Sequence, residues 1–299
     1  MQGKGVGIAK AFQSVVVVGA LALASLSSVT TARGATTKDR ILREKKLTAG
    51  VHDGKPWGYR TADGRIEGFN ADIVKAVFEP LGVQVNFVTG DFGSLIPGLL
   101  SNRFDIVDSS VVITEERCKL VIFGDPELTS VDALLVLKGN PQKIASFKDV
   151  IANPALKIGG SRGSQQSKNA ALAGVGGDQL QLFQNTGTTI SALLAHRVDG
   201  ITFTSGTANA LKASPEISAS VDRAKPFTGL TDANGKAVVS YVAAVFRPQD
   251  TDLRELFNKR LAELKADGTV AKIMARYGFD PDEKAPDGLT STDVCAGKN

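Results

Sequence analysis

The feature that most constrains this chain is an alternation. Short apolar runs suited to strands take turns with stretches whose apolar residues recur at helical spacing, almost to the C-terminus. "KKLTAGV" reads as a strand. "NADIVKAVFEPLG" then sets Ile73, Val74, Val77, Phe78 and Leu81 on one helical face, with Asn70 as a cap and Gly82 just past the end. "VQVNFV" alternates with period two, "SLIPGLL" returns to helical spacing, and "RFDIVDSSVV" is again a strand. The succession predicts an α/β domain built on a largely parallel sheet. After the strand "DALLVL", the turn-rich "KGNPQ" offers a crossing point to a second unit. There "KDVIA", "SQQSKNAALA", "TTISALLAHR" and "TANALKA" supply helices between the strands "LKIGG", "QLQLFQ" and "VDGITFT". "KAVVSYVAAVFR" reads as one long strand after the polar turn "TDANGK", and Gly268 separates two helices near the end.

The first residues belong to a different class. Lys4 and Lys10 precede the apolar run "SVVVVGALALASL", and small residues follow, with Ala32 and Gly34 at the minus-three and minus-one positions of a cleavage site. This is the layout of a secretory signal peptide over residues 1–34. An uncleaved anchor is the alternative, but the run is shorter than the ~20 residues a spanning helix needs. The leader also distorts the charge balance. Lys and Arg number 35 against 31 Asp and Glu; without Lys4, Lys10 and Arg33, and with no acid lost, the balance falls from +4 to +1. The basic pI therefore gives no support to nucleic-acid binding. The remaining chain of about 265 residues is long enough for one large domain or two ordinary ones. No cysteine follows the leader closely, which argues against a lipid anchor and for a periplasmic location.

Export changes the meaning of the two cysteines, Cys118 and Cys295. In an oxidising compartment they most simply form one disulfide that ties the tail to the segment "ITEERC"; free buried thiols are the alternative. A cysteine nucleophile is disfavoured, because His52 and His196 are the only histidines and no motif joins either to a thiol. No metal cluster, cofactor motif or catalytic pair is evident. Arg117, behind two glutamates and directly ahead of Cys118, either pairs locally with Glu115 or Glu116 or grips a ligand carboxylate with its planar fork.

The order of several segments resembles a known family. "ADGRIEGFNADIVKAVFEPLG", "FGSLIPGLLSNRFDIVDSSVVITEERCKLVIFGDP", "GSRGSQQSKNAAL", "LLAHRVDG" and "DGTVAKIMARYGF" together resemble the extracytoplasmic solute-binding proteins of polar amino acid ABC importers. "FGSLIPGL", "ITEERC" and the tail "DGLTSTDVCAG" look most like the ectoine and hydroxyectoine binders within it. The resemblance implies a two-lobed α/β periplasmic binding protein fold with two hinge strands (type II). Lobe one would comprise residues 35–136 plus 240–299, and lobe two residues 137–239, with "DALLVL" and "VVSYVAAVF" as hinge strands. Closure about that hinge around a small zwitterionic solute would be the working motion. The implied partners are that solute and the membrane permease of the importer, with the binding protein acting as a monomer and no nucleic acid involved.

The same resemblance assigns the ligand-binding residues. Arg117 takes the place of the carboxylate clamp. Ser164 ends a glycine-rich turn and opens a helix, where its hydroxyl and the free amides could hold a second carboxylate oxygen. Val111, Val112 and Thr114 flank a strand end that would form a cleft wall. Trp57 and Phe92 stand where ectoine binders place aromatic faces around a delocalised cation, and Asp53 where they carry an acid. Thr204 occupies the place of an aspartate that amino acid binders use for the α-ammonium, and a hydroxyl cannot neutralise that charge. Val112 stands where ectoine binders tend to carry a third aromatic. The expected function is therefore capture of an ectoine-like zwitterion. Alternatives are a binder of an ordinary polar amino acid, an exported dehydratase on the same fold, or a sensor lobe.

Overall fold

The strands expected after the leader pair into two separate sheets of five. The computed structural model describes residues 35–298, so the leader assigned to residues 1–34 lies outside the described residues. In the first sheet the strands run Gln84–Gly90, Lys46–His52, Ile106–Val107, Val245–Phe246 and Ile122–Phe123. Lys46–His52 pairs in parallel with both of its neighbours, whereas Val245–Phe246 is antiparallel to its own. The second sheet runs Leu180–Phe183, Ile158–Ser161, Gly200–Thr204, Asp132–Leu137 and Val221–Arg223. Its first three strands are parallel, and Asp132–Leu137 runs against both neighbours. The antiparallel members are those that the chain enters after crossing between lobes, so a uniformly parallel sheet is interrupted where the crossings arrive.

Between the lobes, Leu128–Ser130 and Ser240–Val242 pair antiparallel as a two-stranded ribbon, with Tyr241 opposite Thr129. This corrects the expected hinge. "DALLVL" lies inside the second sheet, and the crossing occurs before it. The reason is burial on both faces. Ala133 and Leu135 pack into one apolar cluster with Leu193, Ile201 and Phe203, while Leu134 and Val136 pack into another with Phe147, Val150 and Ile158. A strand that fills two cores needs helices on both sides, which an isolated ribbon cannot offer. The boundary expected after residue 136 therefore moves back to the ribbon. The long strand expected in "KAVVSYVAAVFR" is likewise two strands, one in the ribbon and one in the first sheet, separated at Ala243 and Ala244.

Asn70 is not a cap. The helix is Phe69–Phe78, opened by Gly68 at φ 135°, where a side chain would meet the Trp57 carbonyl at 2.4 Å. The Asn70 carboxamide points instead into the protein and is fully buried. Its amide nitrogen donates to Asp108 Oδ1 (2.6 Å) and Glu127 Oε2 (2.9 Å), and its oxygen accepts from the Ser110 N–H (2.9 Å). Gly82, at φ 71°, does end the following helical turn. The C-terminal segment returns to lobe one. Ser291 Oγ donates to the Phe123 carbonyl, and Cys295 is bonded to Cys118 with an S–S distance of 1.99 Å across 177 residues of sequence.

Candidate functional site

Three helices of lobe two begin at the same place because three strands of its sheet end there. Ile158–Ser161 leads through a turn to the helix Gln165–Leu172, capped by Ser164, whose Oγ accepts from the Ser167 N–H. Leu180–Phe183 leads to Thr186–Leu194, capped by Asn185 with a reciprocal bond from Thr188. Gly200–Thr204 runs directly into Ser205–Ala213, capped by Thr204, whose Oγ1 accepts from the Thr207 N–H and lies 2.8 Å from Thr207 Oγ1. Ser164, Asn185 and Thr204 all line one cleft of about 780 Å³. The first amides of each helix have no intrahelical acceptor, and the aligned peptide dipoles leave partial positive charge at that end. Lobe two thus offers an anion a wall of hydroxyls, amides and helix ends that bears no formal charge.

Lobe one supplies rings and ions. His52, at the end of Lys46–His52, and Asp53 line the cleft, as do Phe92 and Ser110. Burial pulls the His52 imidazole down to about 4, outweighing the nearby charge of Asp53. The ring is therefore neutral at physiological pH, and it meets Phe92 edge-on at 5.6 Å. Asp53 is exposed, and its Oδ1 accepts from the Arg60 N–H, so it works as a turn residue and also reaches the cleft.

Arg117 pairs with neither adjacent glutamate. Glu115 is taken by Lys119, and Glu116 by Lys168 of lobe two. The guanidinium instead donates to the Val112 carbonyl (2.7 Å) and, across the lobes, to the Gly163 carbonyl (3.0 Å), with Phe92 5.8 Å away on its ring side. Burial lowers its pKa. It is not itself among the residues that line the large cleft, but it sits between two that do, Phe92 and Ser164, through its contact with the Gly163–Ser164 turn. Gly163 adopts φ +77°, and a side chain there would come within 3.3 Å of Gly93 of lobe one. The close approach of the two lobes at this turn therefore requires glycine.

The other expected site residues separate into groups. Phe92, Asp53, Ser164 and Thr204 line the large cleft. Trp57 also borders it but is 2% exposed: its indole N–H donates to Thr207 Oγ1 (2.7 Å), and its ring packs against Phe69 and Phe279. It is a core residue that ties the lobes together more than an open aromatic face. Val112 and Thr114 do not line the large cleft. They border a smaller cavity of about 390 Å³ beside Gln165, Asn169 and Tyr241. Val112 acts through its carbonyl on Arg117, and Thr114 caps the helical turn Glu115–Cys118 that carries Arg117. Val111 is buried in the lobe-one core.

Sequence reasoning missed His52, Ser110, Gln166, Gln184, Asn185 and Thr207, all of which line the cleft. Asn185 carried a signal, a cap residue at a strand-to-helix junction like Ser164 and Thr204. The others carried none.

Comparison with known proteins agrees with this architecture. The family model for bacterial extracellular solute-binding proteins, family 3, matches residues 47–280. A probable amino-acid ABC transporter periplasmic-binding protein of Sinorhizobium fredii is 31% identical over 281 residues, covering 88% of this chain and 87% of the relative. The histidine-binding periplasmic protein of Salmonella typhimurium is 28% identical, covering 76% of this chain and 84% of its own. The crystal structure of EhuB in complex with hydroxyectoine superposes with a TM-score of 0.74 at 29% identity, covering 87% of this chain and 98% of that one.

Proposed function

This chain belongs to the bacterial extracellular solute-binding proteins, family 3, and from that premise we propose that it captures a small ectoine-like zwitterion between its lobes and delivers it to an ABC permease. The role is solute binding for transport, as the relatives' names state of them. The observation that carries the reading is Arg117. Its partly buried guanidinium has no carboxylate partner among the described residues and faces the start of the helix Gln165–Leu172 across the lobe gap. A solute carboxylate would meet a charge-assisted pair of donors there and further donors from the helix end.

The cationic end of the solute then falls to lobe one. Phe92, the neutral His52 ring and Asp53 present two aromatic surfaces and one acid. Thr204 offers only a hydroxyl, and that hydroxyl already caps its helix. Such a wall suits a delocalised or substituted cation better than a compact ammonium, and the likeness to a hydroxyectoine-bound structure supports the same reading. The second reading, an ordinary amino acid, has its own support: Trp57 is committed to the core and Val112 lies off the large cleft, so the aromatic enclosure is thin. Calorimetry with ectoine, hydroxyectoine, histidine, glutamine and lysine decides. Tight binding of a simple amino acid without ectoines would overturn the ectoine-like assignment.

Residues 1–34 act, in this reading, as the export signal that places the mature chain in the periplasm as a monomer. N-terminal sequencing and light scattering of the exported protein test both points.

A further inference from the structure

Two buried polar groups in residues of the large cleft have no partner among the described residues. One is the Ser110 hydroxyl on lobe one, in a residue 7% exposed; the other is the Gln166 Nε2 on lobe two, in a residue 5% exposed. Both residues line the cleft, and neither is needed to meet a carboxylate at Arg117. Buried donors and acceptors are nearly always satisfied, so a pair left open in one cavity points to a group that completes them.

The way Ser110 is held strengthens the case. It adopts φ 56°, a left-handed conformation that a serine rarely takes. Its N–H is fixed on Asn70 Oδ1, and Asn70 is itself clamped between Asp108 and Glu127 in the interior. Strain maintained by a buried frame, in a residue that lines a cleft and whose hydroxyl has no partner among the described residues, is the pattern of a functional position. Gln166 is presented with similar rigidity. It is the second residue of the helix Gln165–Leu172, and the next residue, Ser167, locks the turn by donating to the Ser161 carbonyl.

The two groups are chemically complementary to one kind of ligand atom. An amide N–H only donates, whereas a serine hydroxyl both donates and accepts. A hydroxyl on the solute accepts from the first and donates to the second. We propose that Gln166 and Ser110 form a polar subsite, distinct from the carboxylate clamp, that selects solutes bearing a hydroxyl group. The subsite rests on the zwitterion reading and narrows it to hydroxylated members.

The test uses calorimetry on the full mature chain with two matched pairs of probes, ectoine with hydroxyectoine and proline with 4-hydroxyproline. The wild type binds the hydroxylated member of at least one pair roughly tenfold more tightly, the size of a neutral hydrogen bond in a desolvated site. Gln166→Leu and Ser110→Ala each bring that ratio to within about twofold of unity, the loss falling mainly on the hydroxylated member. A variant that only disturbed packing would weaken both members alike, so the ratio separates recognition from structure. A wild type without preference, or variants that weaken both members equally, would overturn the subsite. A hydroxyproline preference that depends on Gln166, with no binding of either ectoine, would overturn the ectoine-like reading and leave the subsite standing. Failure of all four probes to bind would overturn both.

Discussion

The two lobes share a sheet of five strands and a cleft, yet they meet the cleft with opposite chemistry. Lobe one brings ions and rings: Arg117 at the edge, Asp53, His52 and Phe92. Lobe two brings Ser164, Gln166, Asn185, Thr204 and Thr207, all uncharged, at the starts of three helices. The difference also runs beneath the surface. Both lobes have apolar cores, but lobe one adds a disulfide and a buried acid–amide cluster, whereas lobe two sets the helix ends of its wall with caps. In the proposed reading this divides the labour by charge: lobe one meets the charged ends of the solute, and lobe two supplies uncharged hydrogen-bonding groups.

Arg117→Ala gives the largest expected effect and the sharpest test of that division. Removing the clamp leaves a carboxylate desolvated without its partner, which costs about 2 to 5 kcal/mol of binding. Ser164→Ala on lobe two should lose only the cap and one hydroxyl, about 0.5 to 2 kcal/mol. Calorimetry with the preferred solute measures both. Equal losses at the two positions would end the claim that charge selection resides in lobe one.

The disulfide comes next. Cys118 follows the clamp directly, and its bond to Cys295 closes a span of 177 residues. The double replacement Cys118→Ser with Cys295→Ser should lower unfolding stability by about 2 to 5 kcal/mol, read from denaturant melts. Intact-mass analysis of the exported protein without reductant provides the direct check: two alkylatable thiols would contradict the bond. If lobe one owes its rigidity partly to this link, the paired variant should also weaken solute binding, and unchanged affinity would show the clamp to be positioned by the core alone.

How far these roles could be read in advance depended on whether the cause was local. Ser164 was legible because a cap residue at the junction of a strand and a helix announces itself within a few positions, whereas Thr204 was placed only by the resemblance. Arg117 was legible through the resemblance; the residues alone left a local ion pair open, and only the structure shows Glu115 and Glu116 taken by lysines. "DALLVL" was misplaced as a hinge because an apolar run says that a strand is buried but not against how many layers. Asn70 looked like a cap because the cap signal is local, whereas its partners Asp108 and Glu127 lie 38 and 57 residues away in sequence. His52 and Gln166 gave no signal, since their direction into the cleft is set by tertiary packing alone.

The buried cluster makes lobe one sensitive to pH in a defined direction. Glu127 is pushed up to about 7 by burial, against the hydrogen bond with Asp108, the charge of Lys265 and the Asn70 amide; Asp108 is raised by burial, by the charge of Glu127 and by their shared hydrogen bond, with the Asn70 amide opposing. A carboxyl raised in the folded state binds its proton more tightly than the unfolded chain does. Its stabilising effect is therefore complete below the unfolded value of 4.5 and is lost as pH rises to about 7. The loss is on the order of 3 kcal/mol. His52 acts oppositely: with its folded value near 4, its contribution is present above 6.5 and is lost as pH falls toward 4. Lobe two has its own raised acid, Asp132, where bonds from the Leu230 N–H and Asn169 offset burial. Glu127→Gln keeps the shape and removes one proton site. Its advantage over the wild type should grow between pH 5 and pH 8 in thermal melts, and an advantage that stays constant with pH would contradict the raised carboxyl.

The smallest expected effect concerns the contacts that bridge the lobes at the rim. Gln184 Nε2 donates to Asp91 Oδ2 at 2.6 Å, Lys168 meets Glu116 at 2.5 Å, and Lys55 lies 3.7 Å from Glu216. Each pair holds a lobe-two residue against a lobe-one residue, so together they look like a latch. Their exposure argues otherwise: the lysines and glutamates of the two ion pairs are all more than 40% exposed, where such pairs contribute about 0 to 1 kcal/mol and are screened by salt. Pairs that weak add little beside the buried bond from the Trp57 indole N–H to Thr207 and the bond from Arg117 to the Gly163 carbonyl, and in the proposed reading the solute's own contacts with both walls supply the rest. Gln184→Ala should therefore change solute affinity by less than about fivefold. Small-angle scattering should show the same compaction on adding solute in the variant as in the wild type, at low and at high salt. Compaction that vanishes with Gln184 would move the control of closure from the cleft to the rim, and a compact state without any solute would assign it to the protein's own bonds across the lobes, Trp57 to Thr207 and Arg117 to Gly163.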